Sequence, residues 1–290
     1  MENSLNVVVS SMGHCGPAKM RRCVLIAAAC VTVSAMASAA LAVPVGYNAA
    51  TSLYTQNFDT LASAGSGLPW TNGTTVTGWH AVNESGASHT VYSATSGAAN
   101  QGILQSLGIA GTNAVGDRAL GAQNTDGAVV RHLGVQLVNN TGSTLTQFSL
   151  SYAGEQWRAV VGEGQDKLDF SYQVFTAGAG SLGAAGYTNA DTLDFLAPIF
   201  SVGGSTPLDG NAPANRALLG DTIFGLNWAP GEELWLRWSD SNPGTGAASR
   251  RSAMAVDDVS VSANFVPEPA TATLGLLGLA GLMGRRRRMA

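Results

Sequence analysis

The stretches FSLSY, residues 148–152, and LDFSYQV, residues 168–174, decide the fold of this chain. In both, large apolar or aromatic side chains alternate with Ser, Asp or Gln. Because successive side chains of a β-strand point to opposite faces, a period of two residues is typical of a strand with one buried face. Both stretches are therefore predicted to be half-buried β-strands.

Other segments extend this pattern over the middle of the chain. Turn-rich stretches such as SAGSGLPWTNG and SDSNPGTGAAS separate them. No stretch has the period of a helix, which excludes a parallel βαβ architecture and favours an all-β fold, an antiparallel two-sheet sandwich or jelly roll. The weaker predicted strands are 52–59, 75–81, 90–93, 129–138, 233–238 and 255–263.

The composition narrows the class of protein. Only 12% of the residues are charged, about half of the usual ~25%, whereas a hydrophobic content of 45% is sufficient for a core. All three cysteines lie within the first 30 residues, so the remainder has no disulfide framework. Much of the basic charge lies at the two ends, which leaves the middle acidic and without the basic face of a nucleic-acid-binding groove, so the charge argues against a nucleic-acid partner.

Residues 20–42 have the order of a secretory signal peptide. Arg21 and Arg22 precede an apolar run that closes with Ala40-Leu41-Ala42, a small-residue cleavage site. We predict cleavage after Ala42 and interpret residues 1–19 as a mis-called upstream extension. The alternative is an N-terminal membrane anchor.

The other end of the chain is apolar and then strongly basic. Residues 270–284 are about 15 apolar residues, shorter than the roughly 20 that span hydrocarbon comfortably. Four arginines follow and should hold the end of the chain on the cytoplasmic side of the inner membrane. They are Arg285, Arg286, Arg287 and Arg288.

The last 25 residues resemble a known sorting signal. Pro267, Glu268 and Pro269, the apolar stretch and the arginine cluster follow one another as in the PEP-CTERM signal. The resemblance implies export by the secretion machinery, transient anchoring in the inner membrane and processing by an exosortase near the tripeptide. It also implies a cell-surface or matrix location, with exopolysaccharide or biofilm as the setting. The chain would then divide into residues 1–19, 20–42, 43–265 and 266–290.

Residues 43–265 resemble exported jelly-roll domains. The segments that carry the resemblance are YTQNFDTL, GWHA, SYAGEQWR and LWLRW, with a closing DDVSVSA. They are similar to the galactose-binding-like or concanavalin-like sandwiches of carbohydrate-binding modules. Relatives tend to have a further acid in the loop at 242–246, which is absent here.

One run of residues is a candidate glycan site. Glu155, Gln156, Trp157 and Arg158 follow a predicted strand and combine an aromatic ring with planar polar groups, as sugar sites do. The alternative is that Trp157 belongs to the core and that Glu155 pairs with Arg158 or Arg237.

Asp257 and Asp258 are adjacent in a predicted strand, so their side chains should point to opposite faces. A buried carboxylate needs a partner, for which we expect Arg237. A structural Ca²⁺ held with Asp59 or backbone carbonyls is the alternative. We expect no other cofactor, and the spacing of the histidines predicts no zinc site.

These patterns predict a non-enzymatic, exported surface or matrix protein that contacts exopolysaccharide. An extracellular hydrolase of polysaccharide or nucleic acid is a second hypothesis, with two carboxylates roughly 5 to 9 Å apart in an open groove. The Glu155 region, with Glu163, or the Asp257–Asp258 pair would then form its site. A purely structural surface module is the third hypothesis.

Overall fold

The computed structural model describes residues 42–83, 85–98, 102–114, 116–123, 132–160, 165–200, 205–241 and 252–265. The predicted sorting segment, the loop at 242–246, Glu163 and all of the predicted signal peptide except Ala42 lie outside these ranges. In the ranges described, no helix combines the length and apolarity needed to cross a membrane.

The described residues are all-β, as predicted, apart from one short 3-10 helix at Asp191–Leu193. The strands are β1 Val45–Tyr47, β2 Leu53–Gln56, β3 Leu68–Pro69, β4 Trp79–Val82, β5 Val91–Thr95, β6 Leu104–Leu107, β7 Ala119–Gln123, β8 His132–Asn139, β9 Leu145–Ala159, β10 Lys167–Phe175, β11 Thr188–Asn189, β12 Phe195–Leu196, β13 Thr206–Pro207, β14 Arg216–Trp228, β15 Glu233–Ser241 and β16 Ala253–Asn264.

A seven-stranded sheet is built around β15, which pairs with β8 on one side and β10 on the other. The far edge of β8 carries β4 and β1 one after the other, and the far edge of β10 carries β12 and β11. Trp235 therefore lies opposite Gln136, and His80 lies opposite Gly134, on neighbouring strands.

A nine-stranded sheet is built around the long pair β9 and β16. The outer edge of β9 carries β14 and β13, and the far edge of β16 carries β7 and β2. From β7 the sheet continues through β6 and β5 to β3.

The two sheets form a β-sandwich with an aromatic core. Trp238 of β15 stacks on Trp79 of β4 at 5.6 Å and meets the ring of Tyr152 from the other sheet edge-on at 5.3 Å. Phe148 of β9 meets Tyr172 of β10 edge-on at 5.2 Å. The alternating residues that predicted β9 and β10 thus hold the two sheets together.

Two aspects of the prediction need correction. Both sheets are mixed and not purely antiparallel, because β1 runs parallel to β8 and β5 runs parallel to β6. The strand predicted at 75–81 begins only at Trp79, since the residues before it form a turn that ends at Gly78 with a φ of 76°.

Candidate functional site

The predicted glycan run, residues 155–158, lies inside the protein. Trp157 is fully buried against a small apolar cluster on the outer face of the nine-stranded sheet. Its indole Nε1 donates a 3.0 Å hydrogen bond to Oε2 of Glu155, which is also fully buried. A sugar could stack on Trp157 only if the residues that cover it moved away.

The neighbours of Trp157 in this run hold loops in place. The side chain of Gln156 donates to Ile199 O and accepts from Ile199 N, both at 2.8 Å. Arg158 donates to Ser205 Oγ at 2.6 Å and to Gly97 O at 2.8 Å. Gln156 and Arg158 thus have a structural role, and the candidate glycan site lies elsewhere.

The cation beside Glu155 is Arg216 of β14, and not Arg158 or Arg237 as expected. Its Nη2 lies 3.9 Å from Glu155 Oε1 and 3.6 Å from Asp258 Oδ2. Arg237 lies on β15, in the seven-stranded sheet. The edge strand β14, which brings Arg216 to this place, was not predicted from the sequence.

Asp257 and Asp258, which were expected to point to opposite faces of a strand, lie at a β-bulge. The register between β16 and β9 shifts between Asp257 and Ser260, and Asp258 has a φ of 49°. Asp257 is buried, whereas Asp258 is exposed, and both lie near Glu155.

Burial makes the two hidden carboxyl groups weak acids. Burial raises the pKa of Glu155 to about 7, although Arg216 and the hydrogen bond from Trp157 oppose the shift. Burial and then the charge of Glu155 raise the pKa of Asp257 to about 9. Buried carboxyl groups of this kind do not form the open groove that a glycosidase pair requires.

Both carboxylate oxygens of Asp59, the third metal candidate, accept hydrogen bonds from the protein. Its Oδ1 accepts from Arg118 N at 3.2 Å, and its Oδ2 accepts from Asn57 Nδ2 at 2.6 Å. Among the described residues, no three His, Cys, Asp or Glu side chains lie together so that they could hold a metal ion.

A different candidate site lies on the outer face of the seven-stranded sheet. A cavity of about 320 Å³ is lined there by His80 of β4, Gln136 of β8, and Glu233 and Trp235 of β15. The loop after β10 contributes Leu182 to its wall. Three neighbouring strands thus bring an imidazole, an amide, a carboxylate and an indole to one cavity.

Glu233 fixes both the aromatic wall and the loop of this cavity. Its Oε2 accepts a 2.9 Å hydrogen bond from Trp235 Nε1, and its Oε1 accepts a 2.7 Å bond from Gly178 N. The loop also packs on Arg237, whose guanidinium carbon lies 3.7 Å from the ring centroid of Tyr187. The hydrogen bond from Gly178 and the contact between Tyr187 and Arg237 thus hold the loop against β15.

His80 supplies a neutral imidazole at this cavity. Burial lowers the pKa of His80 to about 4, against the opposing effects of Gln136 and Glu233. Its ring lies 4.7 Å from that of Trp235, and its Nε2 has no hydrogen-bond partner within the described part of the chain. Nε2 is closed off from solvent, so a ligand hydroxyl could reach it only if the side chains around the imidazole moved. The imidazole also shares a hydrogen bond with the Gln136 side chain and so helps to position that amide.

Residues 265–288 match the PEP-CTERM protein-sorting motif, directly after β16. The chain carries this motif, which implies export, transient anchoring in the membrane and processing by an exosortase.

No curated protein matches the chain. Among solved structures, the chain is similar to two xylan-binding domains of Xyn10C from Paenibacillus barcinonensis, and to the tandem of these domains. The CBM22-1 domain is 12% identical with a TM-score of 0.33, over 75% of this chain and 98% of that domain. The CBM22-2 domain is 12% identical with a TM-score of 0.35, over 73% and 99%. The CBM22-1-CBM22-2 tandem is 11% identical with a TM-score of 0.38, over 73% and 50%.

Proposed function

We propose that this protein is a non-enzymatic surface or matrix protein whose β-sandwich binds polysaccharide after an exosortase has processed its C-terminal segment. The observation that carries the sorting part is the motif at residues 265–288. In this proposal the signal peptide, residues 20–42, is removed after Ala42. The exosortase cuts near Pro267, Glu268 and Pro269, and the exported domain comprises residues 43–265.

The sorting proposal is tested by the intact mass of the protein from its native host. We expect loss of the signal peptide in both the parent strain and a strain without the exosortase. Loss of the segment beyond the tripeptide should occur only in the parent strain. Retention of Arg285–Arg288 in both strains would show that the protein stays anchored by its C-terminal segment.

The cavity on the outer face of the seven-stranded sheet supports the binding part of the proposal. Its volume of about 320 Å³ is at the lower end of ligand pockets, which are roughly 300–1,000 Å³. The size suits one or two sugar units at the end or along the edge of a chain. The Gln136 amide, which His80 helps to position, and the Glu233 carboxylate then provide the polar contacts, with Trp235 as the apolar wall.

A neutral polysaccharide suits this cavity better than an acidic one. His80 is uncharged at neutral pH because burial lowers its pKa to about 4. Glu233 is the charged group of the wall, and its two oxygens already accept hydrogen bonds from the protein. An acidic sugar would bring a negative charge next to the Glu233 carboxylate, and the described residues that line the cavity include no Lys or Arg to offset it.

Binding can be measured by affinity electrophoresis against xylan, a mixed-linkage β-glucan and a galactomannan, with an acidic alginate as comparison. The variant His80→Phe keeps a ring against Trp235 but removes both ring nitrogens. We expect it to weaken retardation by the neutral polysaccharide that binds. Ser151→Ala, on the exposed face of the other sheet, should leave retardation unchanged. Equal retardation of His80→Phe and the parent protein would exclude this cavity as the site.

A further inference from the structure

Three of the eight large apolar side chains that are exposed in the described part of the chain lie near the point at which the chain leaves the sandwich. β16 ends at Asn264, which pairs with Gln147 of β9, and Gln147 pairs in turn with Phe224 of the edge strand β14. Neighbouring strands are about 4.8 Å apart, so Phe224 lies roughly 10 Å from the end of β16. Phe224 is 68% exposed, and Phe265, the next residue of the chain, is 43% exposed.

A third apolar side chain lies on the other side of β16. Leu53 of β2 pairs with Ser262 and is 66% exposed. Between these apolar residues the outer face of the sheet carries hydroxyl groups from Ser149, Ser262 and Thr222, which share one row of the register. We call this corner of the sandwich the chain-exit corner, and it is defined by Leu53, Phe224 and Phe265.

The end of the sandwich next to the chain-exit corner is almost free of charge. Four connecting segments meet at this end, and together they contain one charged side chain, Glu232, which accepts a 2.9 Å hydrogen bond from Ala229 N. The segments are 48–52, 140–144, 176–180 and 229–232. The strands that begin or end at the opposite end place Arg158, Lys167 and Arg216 there.

The length of chain beyond Phe265 decides what can cover this corner. The apolar segment, residues 270–284, begins five residues later. An extended chain spans at most about 3.6 Å per residue, so Ala270 lies no more than about 18 Å from Phe265. If the apolar segment is in the bilayer, as the proposed function requires, the corner is held next to the lipid headgroups.

We propose that, in the anchored precursor, the chain-exit corner docks on the membrane, with Leu53, Phe224 and Phe265 in the boundary between headgroups and acyl chains. The transfer of apolar side chains into that boundary is favourable, and the loops at this end of the sandwich add little charge to desolvate. The carboxylate of Asp221, three residues before Phe224 on β14, then has to stay on the water side of the boundary. A tether of five residues keeps the effective concentration high, so weak contacts are sufficient. Cutting the tether then releases the sandwich, because three small contacts do not hold it alone.

The test uses residues 43–290, the form left by the proposed signal cleavage, so that binding to vesicles reports on the C-terminal segment. This form contains no cysteine. A single new cysteine is introduced by Phe224→Cys or, as matched control at the opposite end, by Ala214→Cys, and it is labelled with a nitroxide. Both positions are exposed, so the label does not disturb the core. The proteins are reconstituted in vesicles of phosphatidylethanolamine and phosphatidylglycerol, and co-sedimentation with the vesicles is measured first.

The proposal predicts that the label at 224 collides more with oxygen and less with a water-soluble nickel chelate than the label at 214. The ratio of the two collision rates should differ several-fold between the positions. Replacing Leu53 and Phe265 by Ser in the same chain should reduce the difference without loss of co-sedimentation. The result rests on the proposed anchoring, which co-sedimentation tests separately.

Three outcomes would overturn the proposal. Co-sedimentation with equal collision ratios at 224 and 214 would show that the chain is anchored but that the corner stays in water. Failure to co-sediment would refute the anchoring and the docking together. Magnetic broadening between labels at 224, with low accessibility to both reagents, would show that a second copy of this chain covers the corner in place of lipid.

Discussion

The indole Nε1 of Trp235 donates a 2.9 Å hydrogen bond to Oε2 of Glu233, two residues earlier on the same strand. Trp157 makes the same contact to Glu155 at 3.0 Å in the other sheet. Residues two apart on a strand share a face, so a Glu-x-Trp sequence can satisfy the indole N–H and one carboxylate oxygen locally. The two pairs differ in what lies beside them, a cavity in the first case and a closed apolar cluster in the second.

The first prediction concerns Glu233→Ala. The change leaves Trp235 Nε1 and Gly178 N without their acceptor, so the cavity wall and the loop lose their common anchor. Each lost buried hydrogen bond costs about 1–3 kcal/mol, so we expect affinity for the polysaccharide that binds to fall about tenfold or more. Titration calorimetry measures this affinity. The exposed Asp191→Ala variant should bind like the parent protein. Unchanged binding by Glu233→Ala would show that the loop held by Glu233 plays no part in polysaccharide binding.

The second prediction concerns Trp157, which we expect to affect stability and not binding. Trp157→Ala removes a fully buried indole and should lower the free energy of unfolding by roughly 3–5 kcal/mol. Trp157→Phe should cost less, because an aromatic ring remains, although a smaller one, and the hydrogen bond to Glu155 is lost. Urea unfolding measures both. If the folded Trp157→Phe variant lost polysaccharide binding, residues 155–158 would be the binding site, as the sequence predicted.

A strand could be predicted from the sequence where apolar and polar residues alternate regularly, so that one of its faces is apolar and the other polar. β9 and β10 satisfy this condition, and β15 and β16 satisfy it in part. β14 does not, because Gly220 and Gly225 interrupt it and its outer face carries the exposed Leu218 and Phe224 where polar residues would be expected. β6 and β7 are short and buried throughout, so they have no polar face to reveal them.

The candidate site could not be predicted because it depends on pairing between distant strands. β15 was predicted from its sequence, but nothing in its sequence says that β8 lies between it and β4. His80 and Trp235 meet only through that pairing. The Glu-x-Trp spacing, at Glu233 and Trp235, is the one local signal that could have marked the position.

The third prediction is that stability falls as the pH rises above neutrality. Asp257 ionises at 3.8 when it is free, whereas in the fold its pKa is about 9 because burial and then Glu155 disfavour the charge. Between these values the folded state keeps a proton that the unfolded state has lost. The stabilisation is complete below pH 3.8 and is lost as the pH rises toward 9, by about 1.4 kcal/mol per pH unit.

This pH dependence is measured best above pH 6.5. Below that value His80, whose pKa is lowered to about 4, contributes a slope of opposite sign. Urea unfolding of the parent protein between roughly pH 6.5 and 9 should show the fall, and Asp257→Asn should flatten it. Glu155 adds to the slope up to about pH 7. If Asp257→Asn and the exposed control Asp191→Asn had the same slope as the parent, Asp257 would be ionised in the fold.

The fourth prediction compares two glycines inside strands, Gly154 of β9 and Gly220 of β14. A Cβ at Gly154 would overlap the ring of Phe195, which is fully buried, because the two sheets approach each other closely there. A Cβ at Gly220 would meet nothing nearer than Ser151 Cβ at 3.4 Å, on the exposed face. Gly154→Ala should therefore lower the free energy of unfolding by about 1–3 kcal/mol through overpacking. Gly220→Ala should be neutral or stabilise by up to about 1 kcal/mol, since Ala restricts the unfolded chain. Guanidinium unfolding of the two variants decides the matter, and equal effects would mean that Phe195 does not pack against β9 and that the sheets are further apart at this point.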